Sequence, residues 1–333
     1  MTATAIEVDR DLLTDPDAFR HLVAEPCRPA VIRGAAADWP LTRMTASGGE
    51  ALRDYLSGFD IGRQVEAFVG DASIAGRYSY TDDLSGFNFR REAMPLRDAI
   101  ARMTDDREAQ DSLYIGSVPI AGVMPRLVED NYLPFVPPRA GPLIWMGHAS
   151  TVPCHYDMMD NVACVVAGRR RFTLYPPEAI GDLYVGPIDH TMAGQPVALA
   201  TEATPDDPRY PRFAQARERA MIVDLEPGDA LYMPKLWWHR VEATGPLNML
   251  VNYWWDAFPV SHDPPFAALL LAMSAIAERP APERAAWRAW FDHYAFRPDG
   301  HPLAHLPEER HGVLGEGKGA ILRAQAMRML RSG

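Results

Sequence analysis

The residues His155-Tyr156-Asp157, answered far downstream by His239, constrain this chain more than any other feature. Two imidazoles and one carboxylate are a ligand set that grips a metal ion on one face, as in the facial triad of non-haem iron(II) sites. Side chains two apart point to the same side of an extended strand, so His155 and Asp157 both reach one ion if their segment is a strand. The third donor has to come from elsewhere in the fold. Three ligands on one face leave the opposite face open, which separates a reactive site from a closed structural one.

The surroundings support strands. Residues 150–154 read as a polar turn ending in an apolar stretch. Past Asp157 come Asn161 and the run Val162 to Val166. Gly168 to Pro177 follows, so the whole reads as strand, tight turn, strand and a Pro-Pro stop. Downstream, Pro227-Gly228-Asp229 is a turn that leads into a short apolar strand delivering His239. Asn248 to Trp255 is a further strand. Upstream, Asp15 to Glu25 reads as a capped helix, Ala30 to Arg33 as a strand, and Gly49 to Leu56 and Arg91 to Met103 as helices. Val65 to Phe68 and Leu113 to Ile115 carry strand patterns. Ile188 to Arg219 is long, Pro-rich and polar, which suits either a functional lid or a structural insertion over a barrel edge.

Composition excludes some functions. A formal charge of −11 and the absence of a basic tail disfavour binding to nucleic-acid phosphate. Arg169-Arg170-Arg171 is the densest basic run, and its middle residue is expected to point inward. The three cysteines, Cys27, Cys154 and Cys164, make no CxxC pair and read as reduced thiols of a cytoplasmic protein. Cys154 adjoins a presumed ligand but is expected to pack on the opposite side of the strand. The N-terminus lacks a basic n-region and an apolar h-region, so no signal peptide is expected. The longest apolar run, near Phe266 to Ala277, is too short to cross a bilayer. Arginine is abundant while lysine occurs only at positions 235 and 318.

From about Ala30 to Asp256 the chain resembles the JmjC/cupin-like iron(II)- and 2-oxoglutarate-dependent oxygenases. The nearest subgroup in pattern is that of the asparaginyl hydroxylase inhibiting hypoxia-inducible factor. Ordered short blocks carry the resemblance: Pro29 to Gly34 with Asp38-Trp39-Pro40, Leu113-Tyr114-Ile115, His155-Tyr156-Asp157 with Asn161, Gly168 to Pro177, Asp207 to Phe213, Pro227-Gly228-Asp229, Trp237-Trp238-His239 and Val251 to Trp254. The resemblance implies a mainly β fold with flanking helices, a double-stranded β-helix (jelly roll or cupin barrel) with a C-terminal helical segment. The expected division is an N-terminal α/β part over 1–140, the barrel over 141–256 and helices over 257–333.

It also implies His155, Asp157 and His239 as iron(II) ligands, with 2-oxoglutarate and O2 as cosubstrates and succinate and CO2 as co-products. By motif position Arg170 meets the cosubstrate's distal carboxylate, where the subgroup resembles Gly-x-Lys. Arginine grips a carboxylate in two-pronged fashion but is larger and planar. Either 2-oxoglutarate sits slightly shifted or the pocket serves another acid. Tyr114 matches a tyrosine on the same carboxylate, and Asn161 and Asn252 match asparagines beside the cosubstrate. Trp254 is expected to pack beneath the site, Tyr156 to face away from it, and Lys235 to be solvent-exposed or at the barrel mouth.

Fold does not fix the substrate. Hydroxylation of a protein or peptide side chain is the leading reading. A small-molecule or tRNA-modifying oxygenase, a metal-bound cupin without oxygenase activity, and a binding module are the alternatives. Pro265 to Glu278, Pro282 to Tyr294 and Gly319 to Leu330 read as apolar-rich helices. They form either a cap on the barrel or, as the resemblance implies, a homodimer interface.

Overall fold

Residues 4–81, 83–105, 111–192, 194–204, 206–259 and 264–332 are described by the computed structural model. Eleven strands among them join into one sheet. In chain order they are β1 Ile6–Glu7, β2 Ala30–Ile32, β3 Gln64–Asp71, β4 Arg90–Pro95, β5 Asp111–Pro119, β6 Pro142–Gly147, β7 Ser150–His155, β8 Asp160–Tyr175, β9 Met221–Leu225, β10 Ala230–Met233 and β11 Trp238–Trp255.

The architecture rests on β8 and β11. They run antiparallel from Trp238 opposite Tyr175 to Trp255 opposite Asp160. On its other edge β11 takes β7 along its first part and β6 along its second. Strand β8 likewise takes β10 on its first part and β9 on its last. Two long strands thus serve two layers in turn, which is the double-stranded β-helix expected from the sequence. Beyond β6 the sheet continues through β5, β3 and β4.

Asp160–Tyr175 is a single continuous strand, not strand, turn and strand, and it stops before Pro176-Pro177 as the sequence suggested. Likewise Asn248 to Trp255 is the second half of β11. Gly168 has φ +71°, the left-handed region, but its effect is a bulge. Both halves of β8 keep β11 as partner, and the register jumps between Thr244 and Met249 opposite the glycine. A Cβ at Gly168 would lie 2.1 Å from Asn248 Oδ1 and 2.9 Å from the Leu247 carbonyl oxygen.

Other expectations shift locally. Arg91 to Met103 is not one helix: Arg90–Pro95 pairs with β3, and only Leu96–Met103 is helical. Pro95 disfavours helical geometry at the residue before it, so the helix starts after the proline. Asp15 caps its helix by accepting from the Asp17 and Ala18 amides, yet the α-helix stops at Phe19 and continues as a wider π turn over Arg20–Ala24. The helix over Gly49–Ser57 agrees with its prediction. Ile188 to Arg219 holds a 3-10 turn at Leu199–Glu202 and a helix at Phe213–Glu218. Its Ala198 amide bonds to the Cys154 carbonyl (2.7 Å), and Phe213 and Ala216 are buried against Tyr175 and Trp238.

The barrel core gathers Val165, Phe172, Leu174, Val223, Leu225 and Leu231. Residues Phe258–Gly333 form a second compact unit with helices at Pro265–Ile276, Ala281–Phe291 and Gly319–Ser332. Its apolar residues are not confined to one face of the first helix: Leu269, Leu270, Leu271 and Met273 are all exposed, as are Trp287 and Trp290 on the next and Phe296 in the π turn after it. Among the described residues no helix is long and apolar enough to cross a membrane.

Gly168→Ala should cost at least about 2 kcal/mol, because it combines a left-handed backbone with a clash against Asn248. A fall in Tm without loss of two-state unfolding checks this; an unchanged Tm refutes the role given to the bulge.

Candidate metal centre and ligand pocket

Strand β7 ends at His155, and its direct cross-strand partner on β11 is His239. The two rings lie 4.4 Å apart, centroid to centroid. Asp157 follows just past the strand end. One donor atom from each of His155, Asp157 and His239 lies within 4.8 Å of the others. The sheet therefore brings together the three residues that spacing and resemblance singled out.

The hydrogen bonds of both imidazoles prepare them to ligate. His155 Nδ1 lies 2.8 Å from the Pro153 carbonyl oxygen, and His239 Nδ1 lies 3.0 Å from that of Trp237. A carbonyl oxygen only accepts, so Nδ1 carries the proton in each ring and Nε2 presents its lone pair. Burial, followed by the neighbouring His155, pushes the His239 pKa well below its ordinary value. His239 is therefore in the neutral, metal-binding form at neutral pH.

Asp157 is held just as firmly. Its Oδ2 accepts from Asn161 Nδ2 and from Trp254 Nε1, both at 3.1 Å. Asn161 Oδ1 accepts from Asn252 Nδ2 (3.1 Å), and Asn252 Oδ1 accepts from Trp145 Nε1 (2.6 Å). Asn161 and Asn252 both line the pocket, but the bonds they make are links in a relay from Trp145 to the carboxylate. Trp254 does more than pack beneath the site, since it bonds to a ligand directly. Trp145 had no signal in the sequence, being one aromatic in a short strand. Its indole covers Gly116, where a Cβ would come 2.8 Å from the ring.

Arg170 points inward, as expected of the middle residue of its run. Arg169 and Arg171 face solvent and pair with Glu226 (3.1 Å) and Asp224 (2.7 Å). Arg170 is 5 % exposed, and its Nε has no hydrogen-bond partner among the described residues. Burial lowers its pKa, opposed by Tyr114; burial raises that of Tyr114 to about 12. At neutral pH the two are a guanidinium and a phenol. An unpaired buried cation is costly unless an anion joins it. Arg170, Tyr114, Asn161, Asn252 and the triad all line one cavity of about 140 Å³, several times the volume of a water molecule. The donor set suits iron(II), and the orphaned guanidinium suits a carboxylate-bearing ligand beside it.

Several aromatic and apolar wall residues escaped the sequence reading: Phe68, Tyr78, Phe89 and Met192 also line the cavity. Cys154 is buried with Tyr156 and Trp238 on the far side of the strand, so it packs and does not ligate. Tyr156 faces away, edge-on to Trp238. Lys235 is neither free in solvent nor at the mouth. It is about 29 % exposed and paired with Asp256 (2.5 Å) and with buried Asp160 (3.4 Å).

Trp254→Phe should keep the packing and remove one donor to Asp157. Loss of such a partner lowers metal affinity roughly 10–100-fold. Competition against a chelator of known affinity measures this, and an unchanged constant would show the bond to be incidental.

Comparison with known proteins agrees with this geometry. The model of the cupin-like domain matches residues 16–261. Jumonji C domain-containing protein 5 of Drosophila melanogaster is 30 % identical over 178 residues, 50 % of this chain and 43 % of that protein. The lysine-specific demethylase JMJ31 of Arabidopsis thaliana is 34 % identical over 121 residues (36 % and 22 %). Lysine-specific demethylase 8 of Xenopus tropicalis is 25 % identical over 246 residues (72 % and 50 %). The chain spans half or less of the length of each of these relatives. Their names are those of Jumonji C proteins and lysine demethylases, and none is that of the asparaginyl hydroxylase subgroup. With the match running through both halves of the β8–β11 pair, the chain belongs to the cupin-like family in its Jumonji C form.

Proposed function

We propose that this protein is an iron(II)- and 2-oxoglutarate-dependent dioxygenase that hydroxylates a C–H bond, in a side chain of a protein or peptide, with succinate and CO2 as co-products. The observation that carries the reading is a buried cation with an unpartnered nitrogen in the same cavity as a two-histidine, one-carboxylate triad. A metal-bound cupin of another activity needs the triad but has no use for Arg170 inside the barrel. The net charge of −11 weighs against a tRNA substrate.

His155, Asp157 and His239 would hold the metal. Bound with its cosubstrate, iron(II) supplies the oxidation of an unactivated C–H bond by O2. The chain's own residues prepare that chemistry. The backbone carbonyls of Pro153 and Trp237 fix both imidazole tautomers. Asn161 and Trp254 both donate to Asp157 Oδ2 and so hold in place the carboxylate that would meet the metal. Arg170 and the Tyr114 hydroxyl would receive the distal carboxylate, in the place where the asparaginyl hydroxylase subgroup resembles Gly-x-Lys. The aromatic wall excludes water from the reacting volume.

Anaerobic titration with iron(II) and 2-oxoglutarate tests the reading through the weak visible charge-transfer band that this pair gives on chelation. Its absence at saturating ligand would favour the other cupin activities. His239→Ala should abolish the band and 2-oxoglutarate-dependent succinate formation; unchanged turnover would refute the ligand assignment. Arg170→Leu should raise the cosubstrate Kd about 30-fold, roughly 2 kcal/mol for a charge-assisted bond, while Arg170→Lys recovers part of it.

We further propose a homodimer formed through the C-terminal helices. Leu269, Leu270, Leu271 and Met273 make the helix over Pro265–Ile276 apolar all round, a composition that calls for burial, and Trp290 and Phe296 are exposed nearby in the chain. Sedimentation should give a dimer mass for the wild type and a monomer for the double variant Leu270→Glu, Trp290→Glu. A monomeric wild type at micromolar concentration would exclude it. The unpaired cysteines agree with a reducing, cytoplasmic setting.

A further inference from the structure

We infer that the side chain offered to the metal is uncharged and apolar, an aliphatic or aromatic group, and not a methylated ammonium or a guanidinium. This rests on the dioxygenase reading above and narrows its substrate.

Charge balance is the first ground. Asp157 is the one acidic residue lining the cavity among the described residues, and it is committed to the metal, Asn161 and Trp254. Arg170 is a cation, because a guanidinium stays protonated inside proteins. A divalent metal, one carboxylate, one guanidinium and a dianionic cosubstrate sum to zero. A cationic substrate would leave water and find no counter-charge, whereas an apolar one loses nothing electrostatically.

The wall is the second ground. Phe68 stacks on Phe89 (4.9 Å between centroids, 28° between planes), Phe89 stacks on Phe87 (5.4 Å), and Tyr78 meets Phe89 at 5.6 Å. These rings fill one another's faces and form a continuous surface. A cage for an alkylammonium needs ring faces left open to the cation. Arg91 already sits over Phe68, 5.0 Å from its centroid, and anchors the opposite lip by donating to the Met192 carbonyl (2.8 Å).

The third ground is the lip itself. Met192 and Val197, from the long Pro-rich segment, are buried against Tyr80 and complete the apolar side of the cavity. That segment is therefore a wall of the pocket as well as a cover for the barrel. Polar groups that might greet a charged substrate are taken: Tyr78 donates to Ser112 Oγ (3.0 Å), and the asparagines belong to the relay. Gln195, half-buried, adds a neutral amide to the lining.

The test uses a pair of probes alike in shape and different in charge, neohexyl alcohol and choline. Each is titrated anaerobically into the full-length protein loaded with iron(II) and 2-oxoglutarate, and the perturbation of the charge-transfer band is read. The neutral probe should bind at least tenfold more tightly. Equal or tighter binding of choline overturns the inference, as does failure of the neutral probe to perturb the band at tens of millimolar. Gln195→Glu places a carboxylate in the lining and should shift the ratio at least tenfold towards choline; an unmoved ratio shows that the lip does not meet the substrate. Absence of the band before any probe is added would instead sink the dioxygenase reading.

Discussion

The register between β7 and β11 is the constraint on which the rest of this molecule depends. His155 and His239 are distant in sequence but face each other directly, so the metal site is built from one cross-strand pair plus a residue at the end of the strand. A slip of one residue would turn His239 to the other face of the sheet, because side chains alternate strictly along a strand. Bulky neighbours resist such a slip. Trp238 is buried on the far face against Tyr156 and Tyr175, and Trp237 belongs to the barrel core. The pattern Trp-Trp-His therefore anchors the start of the strand in two separate clusters just before the ligand it delivers.

Around that pair, the polar groups of the cavity form a chain with a beginning and an end. Trp145 has no acceptor of its own and can only donate; Asp157 as a carboxylate can only accept. Asn252 and Asn161 sit between and pass the direction along. The end groups thus fix which way both amides point, and the carboxylate's orientation follows from strands β6, β8 and β11 together. Among the side chains lining the cavity, Arg170 keeps a buried nitrogen without a partner, and that nitrogen marks where an anionic ligand stabilises the protein.

How much of this was legible beforehand follows from the range of the signals. Ligand spacing is a local property of an extended strand, so His155 and Asp157 could be read as a unit. The resemblance supplied His239, Arg170, Tyr114 and the jelly roll. The helix reading of Arg91 to Met103 failed at Pro95, where pairing with β3 competes with helix formation. Tertiary pairing also kept Gly168 within a strand where a turn was expected. The aromatic wall was invisible because it joins Phe68, Tyr78 and Phe89 to Met192 across separate loops and strands, and nothing local distinguishes such rings from ordinary core. Asn161 and Asn252 were matched to asparagines beside the cosubstrate, but their mutual bond is a three-dimensional fact.

The bulge at Gly168 connects fold to chemistry through parity. In the first half of β8 the residues facing the cavity and barrel core are Asn161, Ala163 and Val165; in the second half they are Arg170, Phe172 and Leu174. Odd positions face inward before the glycine and even positions after it. An unbroken strand would have carried the odd set onward to Arg169 and Arg171, which here lie exposed in ion pairs with Glu226 and Asp224. Two register irregularities, one at Val166 and one opposite Gly168, separate the two halves and exchange the faces. Together they bring the middle arginine of the run to the same side as Asn161 and the triad, so the metal ligands and the buried cation meet in one cavity, and Gly168 accepts the backbone angle that the second irregularity requires.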